Sequence, residues 1–303
     1  MKDESTFYHQ PVLLNECIEQ LNIKPDGVYL DATYGGGGHS KEILKRLNEH
    51  GTLIVFDQDD DAKRNIPDDK RILFVPENFR YASRFVRLYK LPSLDGVLAD
   101  LGVSSYQFDT PDRGFSTRFD ALLDMRMDQR NPLSAMNVLN EYKEPQLKQI
   151  FEQYGEVTNA KNVARSIAEA RMAKRLTTIN ELKQTLAKCI YGNENKYFAQ
   201  IFQAIRIEVN DELNALMEFL ETITLSMSEN ARICMITFHS LEDRIVKQWM
   251  KNETFQNEPD FFTKQTKKKN LKIITKRPIL PSEEEIKNNS RARSAKLRVA
   301  QKV

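Results

Sequence analysis

Over its first hundred residues the chain carries its apolar positions in short continuous runs, each set apart from the next by a stretch with helical spacing. Val12, Leu13, Ile18 and Leu21 recur at intervals that predict a helix over 12–21. The run Val28–Asp31 predicts a strand, and Ile43, Leu44 and Leu47 mark one face of a helix over 40–47. Strands over Leu53–Asp57, Ile72–Val75 and Gly96–Asp100 follow. One run of this length also fits a buried helix fragment. Four in succession, with short connections, fit an α/β fold whose parallel sheet has helices on both faces.

From Pro132 to Ile223 the period changes. Helices are predicted over 144–154, 162–173, 179–189, 198–210 and 211–223, with no alternating pattern between them. A strand returns at Arg232–Phe238. The sheet is therefore expected to be interrupted in sequence and continuous in space. Residues 1–109 and 211–303 would form the sheet domain and 110–210 an inserted all-helical domain. The polar, Lys-rich stretch 252–270 reads as a mobile loop.

The turn after the first strand is rich in glycine: Tyr29-Leu-Asp-Ala-Thr-Tyr-Gly-Gly-Gly-Gly-His39. Glycines let a ligand approach the backbone without Cβ atoms in the way. The next strand closes on Asp57, an acid suited to ribose hydroxyls. Gly35, Gly37 and Gly38 depart from the dinucleotide spacing G-x-G-x-x-G, because Ser40 stands at its last position. A nucleoside is expected, and a nicotinamide dinucleotide is disfavoured. Open α/β sheets bind ligands at the carboxyl ends of their strands. Those ends read Asp31, Asp57, Asn78-Phe79 and Asp100. Asp57 would take the ribose, Phe79 the adenine, and Asp31 and Asp100 a cationic group. S-adenosylmethionine has those parts. Past Asp100, a loop with Gly102, Ser104, Gln107 and aromatics reads as a site, whereas Met125 and Met127 read as core. Late in the chain, Ser240 with Asp243 reads as a helix N-cap with an acidic first turn, which leaves His239 and Arg244 near the strand-end surface.

Charge adds a partner. The formal net charge is +2, yet residues 264–303 hold thirteen Lys/Arg against three Glu, so the body is acidic and the tail basic. That asymmetry points to a polyanion such as nucleic acid, or to a solvated end. The three cysteines are far apart and the four histidines scattered, so no zinc or other metal site is expected, and a reduced, cytoplasmic protein fits best. No apolar run reaches the roughly 18 residues of a membrane span, and the first residues show no signal-peptide pattern.

Longer strings carry a family resemblance. They include His9-Gln-Pro-Val-Leu-Leu-Asn-Glu16, Gly37-Gly-His-Ser40, Asp100-Leu-Gly-Val-Ser-Ser105, Arg113-Gly-Phe-Ser116 and Leu123-Asp-Met-Arg-Met-Asp128. Tyr154-Gly-Glu156, Phe202-Gln-Ala-Ile-Arg206, Phe238-His-Ser-Leu-Glu-Asp-Arg244 and Arg291-Ala-Arg-Ser-Ala-Lys-Leu-Arg298 complete them. In this order and over this length the chain resembles the RsmH (MraW) family of bacterial ribosomal RNA methyltransferases. The resemblance implies a Rossmann-like methyltransferase sheet with an inserted helical domain. It also implies S-adenosylmethionine-dependent methylation of the N4 of a decoding-region cytidine of 16S rRNA, in the small ribosomal subunit or a late precursor. The family's cofactor contacts fall on Gly37, Gly38, His39, Asp57, Phe79, Asp100 and Gln107. The stretch Lys196-Tyr-Phe-Ala-Gln-Ile201 departs from the family's usual His-Pro-Ala and basic residue, and 252–270 lacks its Gly-Pro-rich sequence.

A methyl transfer to an exocyclic amine needs an acceptor for the N–H and a clamp for the base. Asp100 is the expected catalytic residue, with His239 nearby and Tyr106, Phe108 or Phe115 as the clamp. Arg113, Arg206, Arg244, Arg291 and Arg293, with Phe115 and the run 267–269, are the expected RNA contacts. A non-catalytic RNA-binding factor on the same fold is the rival reading. The oligomeric state is left open, a homodimer included.

Overall fold

The structure, a computed structural model, describes residues 11–255 and 269–303. His9, Gln10, Lys267, Lys268 and most of the Lys-rich stretch lie outside the described residues. In chain order the elements are α1 (Leu14–Leu21), β1 (Val28–Asp31), α2 (Gly38–Leu44), β2 (Thr52–Phe56), β3 (Ile72–Val75), α3 (Ala82–Leu88) and β4 (Leu94–Asp100). Then come α4 (Ser105–Asp109), α5 (Ala135–Glu141), α6 (Glu144–Gln153), α7 (Ala160–Ala173), α8 (Ile179–Leu186), α9 (Glu194–Asn210) and α10 (Glu212–Ile223). The chain ends with β5 (Met227–Thr237), α11 (Ser240–Asn252), β6 (Leu271–Ile273), α12 (Glu283–Asn288) and β7 (Lys296–Lys302). Two compact units result, Met1–Gly102 with Asn214–Val303, and Val103–Leu213. The periodicity alone had placed the boundaries at 109/110 and 210/211.

The first unit is built on a seven-stranded sheet of order β3-β2-β1-β4-β5-β7-β6. Leu30 of β1 lies beside Ile54 of β2 and Val97 of β4, all parallel. Alternate residues of each strand feed two apolar layers. Leu30, Ile54, Phe56 and Val97 join Phe219 and Trp249 on one side. Tyr29, Leu53, Val55 and Leu98 join Leu13 and Leu47 on the other. Burial on both faces is why these strands read as continuous apolar runs. From β1 the chain proceeds outward through β2 to β3, then restarts at β4 on β1's other side. That reversal opens a crevice at the carboxyl ends of β1 and β4.

The expectation of a parallel sheet holds for β1 to β5 and fails at the far edge. β7 pairs antiparallel with both β5 and β6. Its cations had been read as a free basic tail. Instead Leu297 and Val299 enter one apolar layer and Ala300 the other. Arg298 donates twice to Asp243, at 2.7 and 3.1 Å, and Lys302 donates to the Thr224 carbonyl at 2.9 Å.

The second unit packs helices around Leu123, Met125, Leu139, Phe151, Val163, Leu182 and Ile205. Ser134 and Asn137 form a capping box at α5, a helix the periodicity did not reveal, and Thr178 and Glu181 form another at α8. Asn210, at the end of α9, accepts from the Met127 amide at 2.7 Å and donates to the Met125 carbonyl at 2.8 Å. Both methionines are core residues, as their spacing implied.

Candidate active site at the strand ends

Three acids end β1, the residue after β2, and β4, and each has a different task. Asp31 is 1 % exposed. Its Oδ2 accepts from the Ser40 hydroxyl at 2.6 Å and its Oδ1 from the Thr33 amide at 3.1 Å. Asp31 therefore ties the turn to α2 and does not face a cationic ligand as its strand-end position had led us to expect. Burial pushes its carboxyl up, against the pull of those two hydrogen bonds.

Asp57 closes the turn from the other side. Its Oδ2 accepts from the Gly35 amide at 2.8 Å and its Oδ1 from the Asp59 amide at 2.9 Å. Burial drives its pKa from 3.8 up to about 7, with the hydrogen bonds from Asp59 and Gly35 working in the opposite sense. Between these anchors Gly37 sits at φ +73° and caps α2. A Cβ on Gly38 would lie 2.1 Å from Pro11 Cγ, so the segment before α1 packs directly on the turn. A Cβ on Gly36 would meet nothing within 4 Å. The turn is closed on its inner side at Gly38 and open at Gly36.

Asp100 is more exposed than Asp31, with a quarter of its side chain open to solvent. Its amide donates to Thr33 Oγ1 at 2.7 Å, which fixes the end of β4 against the β1 turn. Its Oδ1 is buried and has no hydrogen-bond partner among the described residues. Its Oδ2 lies 3.8 Å from His39 Nδ1. Burial raises this carboxyl well above the usual range, and the charges of Asp31 and Glu242 add to the effect. Phe79 lies half-buried in a 3-10 turn past β3, edge-on to Phe219 with ring centroids 5.3 Å apart. Asn78 caps that turn and donates to Gln58 Oε1 at 2.8 Å. Thr33, Gln58 and the Val12 carbonyl escaped the sequence reading; only their nearness to strand ends or to the Pro11 string could have flagged them.

His239 was expected to be free for chemistry with Ser240 as the cap. The reverse is found. His239 is the N-cap of α11, with Nδ1 accepting from the Glu242 amide at 3.4 Å. Glu242 in return accepts from the Phe238 amide at 2.8 Å, and its Oε1 lies 3.1 Å from His239 Nε2. His239 is thus the capping residue of α11, and its buried Nε2 has no hydrogen-bond partner among the described residues.

In the helical unit, Gln107 is buried and forms a capping box with Ser104 at α4. Arg113 is 4 % exposed and donates to the carbonyls of Arg126 and Met127 at 3.0 and 3.1 Å. Phe115 belongs to the apolar core. Both were expected to contact RNA; both are interior residues that hold the 123–128 segment in place. Arg206 donates to Glu212 at 2.8 Å. Arg244 and Arg293 are exposed and Arg291 is partly buried. Arg118, which sequence reading passed over, lies over Phe108 and Phe119 at 5.2 and 5.4 Å.

A sheet of this order, with a glycine turn after β1, an acid after β2 and an acid ending β4, fits a methyltransferase that takes its methyl group from S-adenosylmethionine, the class to which the family match below assigns the chain. Two features fit that cofactor: open space at Gly36 and an unpartnered buried acceptor on Asp100. The MraW methylase family matches residues 6–303, and the chain belongs to that family. It is 52 % identical over 302 residues to Ribosomal RNA small subunit methyltransferase H of Flavobacterium johnsoniae, covering 98 % of each chain. It is 53 % identical over 293 residues to the protein of that name in Flavobacterium psychrophilum, covering 96 % of this chain and 100 % of the relative. The Bacteroides fragilis protein of that name is 48 % identical over 307 residues, with both chains fully covered. Among solved structures the chain is similar to an rRNA methylase from Streptococcus thermophilus, at TM-score 0.41 and 8 % identity, over 96 % of this chain and 93 % of that one. Among the described residues no helix is long and apolar enough to cross a membrane.

Proposed function

We propose that this protein methylates small-subunit ribosomal RNA, and that the accepting atom is the exocyclic N4 of a cytidine in the decoding region of 16S rRNA. Full-length identity near 50 % to proteins named for small-subunit rRNA methylation supports the substrate. The observation that carries the chemistry is Asp100: a partly exposed carboxyl at a strand end, with one buried oxygen lacking any partner among the described residues. An exocyclic amine is a weak nucleophile, because its lone pair is delocalised into the ring. It gains most from an acceptor that orients its N–H and from in-line geometry, worth roughly 7–11 kcal/mol at best.

The residues assigned to the cofactor are Gly37, Gly38, His39, Asp57, Phe79, Asp100 and Gln107. Asp57, once ionised, would accept from ribose hydroxyls, and Phe79 would hold the adenine. S-adenosylmethionine supplies the methyl group and a sulfonium that leaves as a neutral thioether. Asp100 accepts the amine N–H, holds the nitrogen lone pair toward the methyl carbon, and takes up the proton that nitrogen loses as its new bond forms. Tyr106 and Phe108 remain as candidates to hold the base, which must leave its stack. Arg244, Arg291 and Arg293 are assigned to phosphates. The helical unit serves substrate recognition, and the protein acts in the cytoplasm on the small subunit or a late precursor of it.

The test is transfer of labelled methyl to small subunits from a strain lacking this protein, followed by nucleoside digestion and mass spectrometry. The reading predicts label in N4-methylcytidine from one decoding-region position. Label in another base or position would overturn it. Cofactor binding without transfer would favour a non-catalytic assembly factor.

A further inference from the structure

His39 is buried, and its imidazole is held on one side only. Its Nε2 lies 3.1 Å from the Val12 carbonyl oxygen. A carbonyl can only accept, so Nε2 must carry the hydrogen, and Nδ1 is left with its lone pair. Nδ1 lies 3.8 Å from Asp100 Oδ2. Two acceptors thus face each other across a gap somewhat longer than a hydrogen bond, the separation expected when no hydrogen lies between them. A single proton on the carboxyl closes the gap.

We propose that His39 is a positioning residue for Asp100: the Val12 carbonyl fixes its ring in the Nε2–H tautomer, and the bare Nδ1 so presented receives the hydrogen of the carboxyl once that group has become neutral, which makes the carboxylate a stronger base. The inference rests on the reading of Asp100 as the acceptor for that amine. In the transfer, the nitrogen lone pair forms the bond to the methyl carbon, and the carbon–sulfur pair goes to sulfur. The nitrogen's proton goes to Asp100, neutralising it, and rotation of the neutral carboxyl about its Cβ–Cγ bond turns that hydrogen to Nδ1. A neutral Asp100 is the form His39 stabilises, so the ring favours the protonated product of the step and disfavours the bare anion.

Three further observations agree. The ring cannot take the proton itself, since burial holds its pKa down to about 4. The groups around Asp100 push the same way: Asp31 from β1 and Glu242 from α11 both disfavour its anion, and Cys17 of α1 is a neutral, buried thiol. Pro11, packed on Gly38, sets the position of the adjoining Val12 carbonyl. The N-terminal string and the glycine turn thus meet to fix one tautomer.

The test has two readouts. Nitrogen-15 NMR of histidine-labelled free protein, with the His39 signals assigned through His39→Gln, should give a protonated Nε2 and an unprotonated Nδ1. The Nδ1 resonance should move in Asp100→Ala. A hydrogen on Nδ1, or a resonance indifferent to Asp100→Ala, would overturn the proposal with no substrate present, whatever the protein methylates. The second readout is the pH profile of kcat for methyl transfer. His39→Gln retains reach to Val12 and loses the acceptor at the Nδ1 position, so the acidic limb should move about one unit lower. His39→Asn puts an amide oxygen where Nδ1 stood and should restore the limb. Equal shifts in both variants, or none in either, would mark a purely structural histidine.

Discussion

The Ser40 hydroxyl donates to the Asp31 carboxylate at 2.6 Å, tying the first turn of α2 to the end of β1. The contact explains why serine stands where a dinucleotide fingerprint has its last glycine: the position holds the turn by a side chain. Ser40→Ala leaves a buried carboxylate with one donor fewer. A loss of about 1–3 kcal/mol is expected in chemical denaturation at neutral pH. Ser40 pulls the Asp31 carboxyl down while burial pushes it up, so its removal raises the carboxyl further. A raised carboxyl contributes stability that is lost as pH rises. The deficit of Ser40→Ala should therefore shrink on acidification; a deficit that grew at low pH would contradict the linkage.

The four glycines are expected to separate by experiment. Gly36→Ala meets open space, so its thermal midpoint should match the wild type while its affinity for S-adenosylmethionine falls. Gly38→Ala drives a Cβ into Pro11 and should lose about 1–3 kcal/mol of stability as well as cofactor. Calorimetric titration beside thermal melts distinguishes the two. Equal stability loss in both would mean that the turn is uniformly packed.

If Asp57 holds the ribose as proposed, its titration sets the pH dependence of cofactor binding. Its carboxyl titrates near 7 in the folded protein against 3.8 in the reference state. For the free protein the sign is that of a raised acid: its contribution is full below about 4 and is lost as pH rises through about 7. For binding the sign is opposite, because two ribose hydroxyls need an ionised acceptor. Affinity for S-adenosylmethionine should increase between pH 6 and 8 with a midpoint near 7. In Asp57→Asn it should be weaker and flat over that range, by titration calorimetry at matched ionic strength.

What the sequence disclosed follows from how each feature is stabilised. Strands written as short apolar runs, such as the fully buried Val28–Asp31 and the half-buried edge strand Ile72–Val75, appear with the bounds read from the sequence. The acids at their ends were visible because strand ends are few. The direction in which each acid points was not visible, since it depends on Ser40, Thr33 and the Gly35 amide. β7 was hidden because Arg298 and Lys302 are held by Asp243 and by carbonyls far away in sequence. His239 was misjudged because capping by a histidine is uncommon, whereas Ser240 has the usual side chain for it.

Arg113 builds the fold, whereas Arg244 and Arg293 are proposed above as phosphate contacts, and salt dependence should test that proposal. Arg113→Met leaves the carbonyls of Arg126 and Met127 without their donor, so about 1–3 kcal/mol of stability should be lost. Affinity for rRNA in that variant, measured below its melting range, should retain the wild-type slope of log K against log salt. Arg293 is exposed, and replacing it by Gln should leave stability within about 0.5 kcal/mol. Removing one cation from a phosphate should reduce the slope by roughly 0.7–0.9, because one fewer counterion is released on binding. Filter binding over a salt series would measure it. An unchanged slope in the double variant Arg244→Gln, Arg293→Gln would remove both from the RNA interface and shift the search to the other exposed cations of the two units.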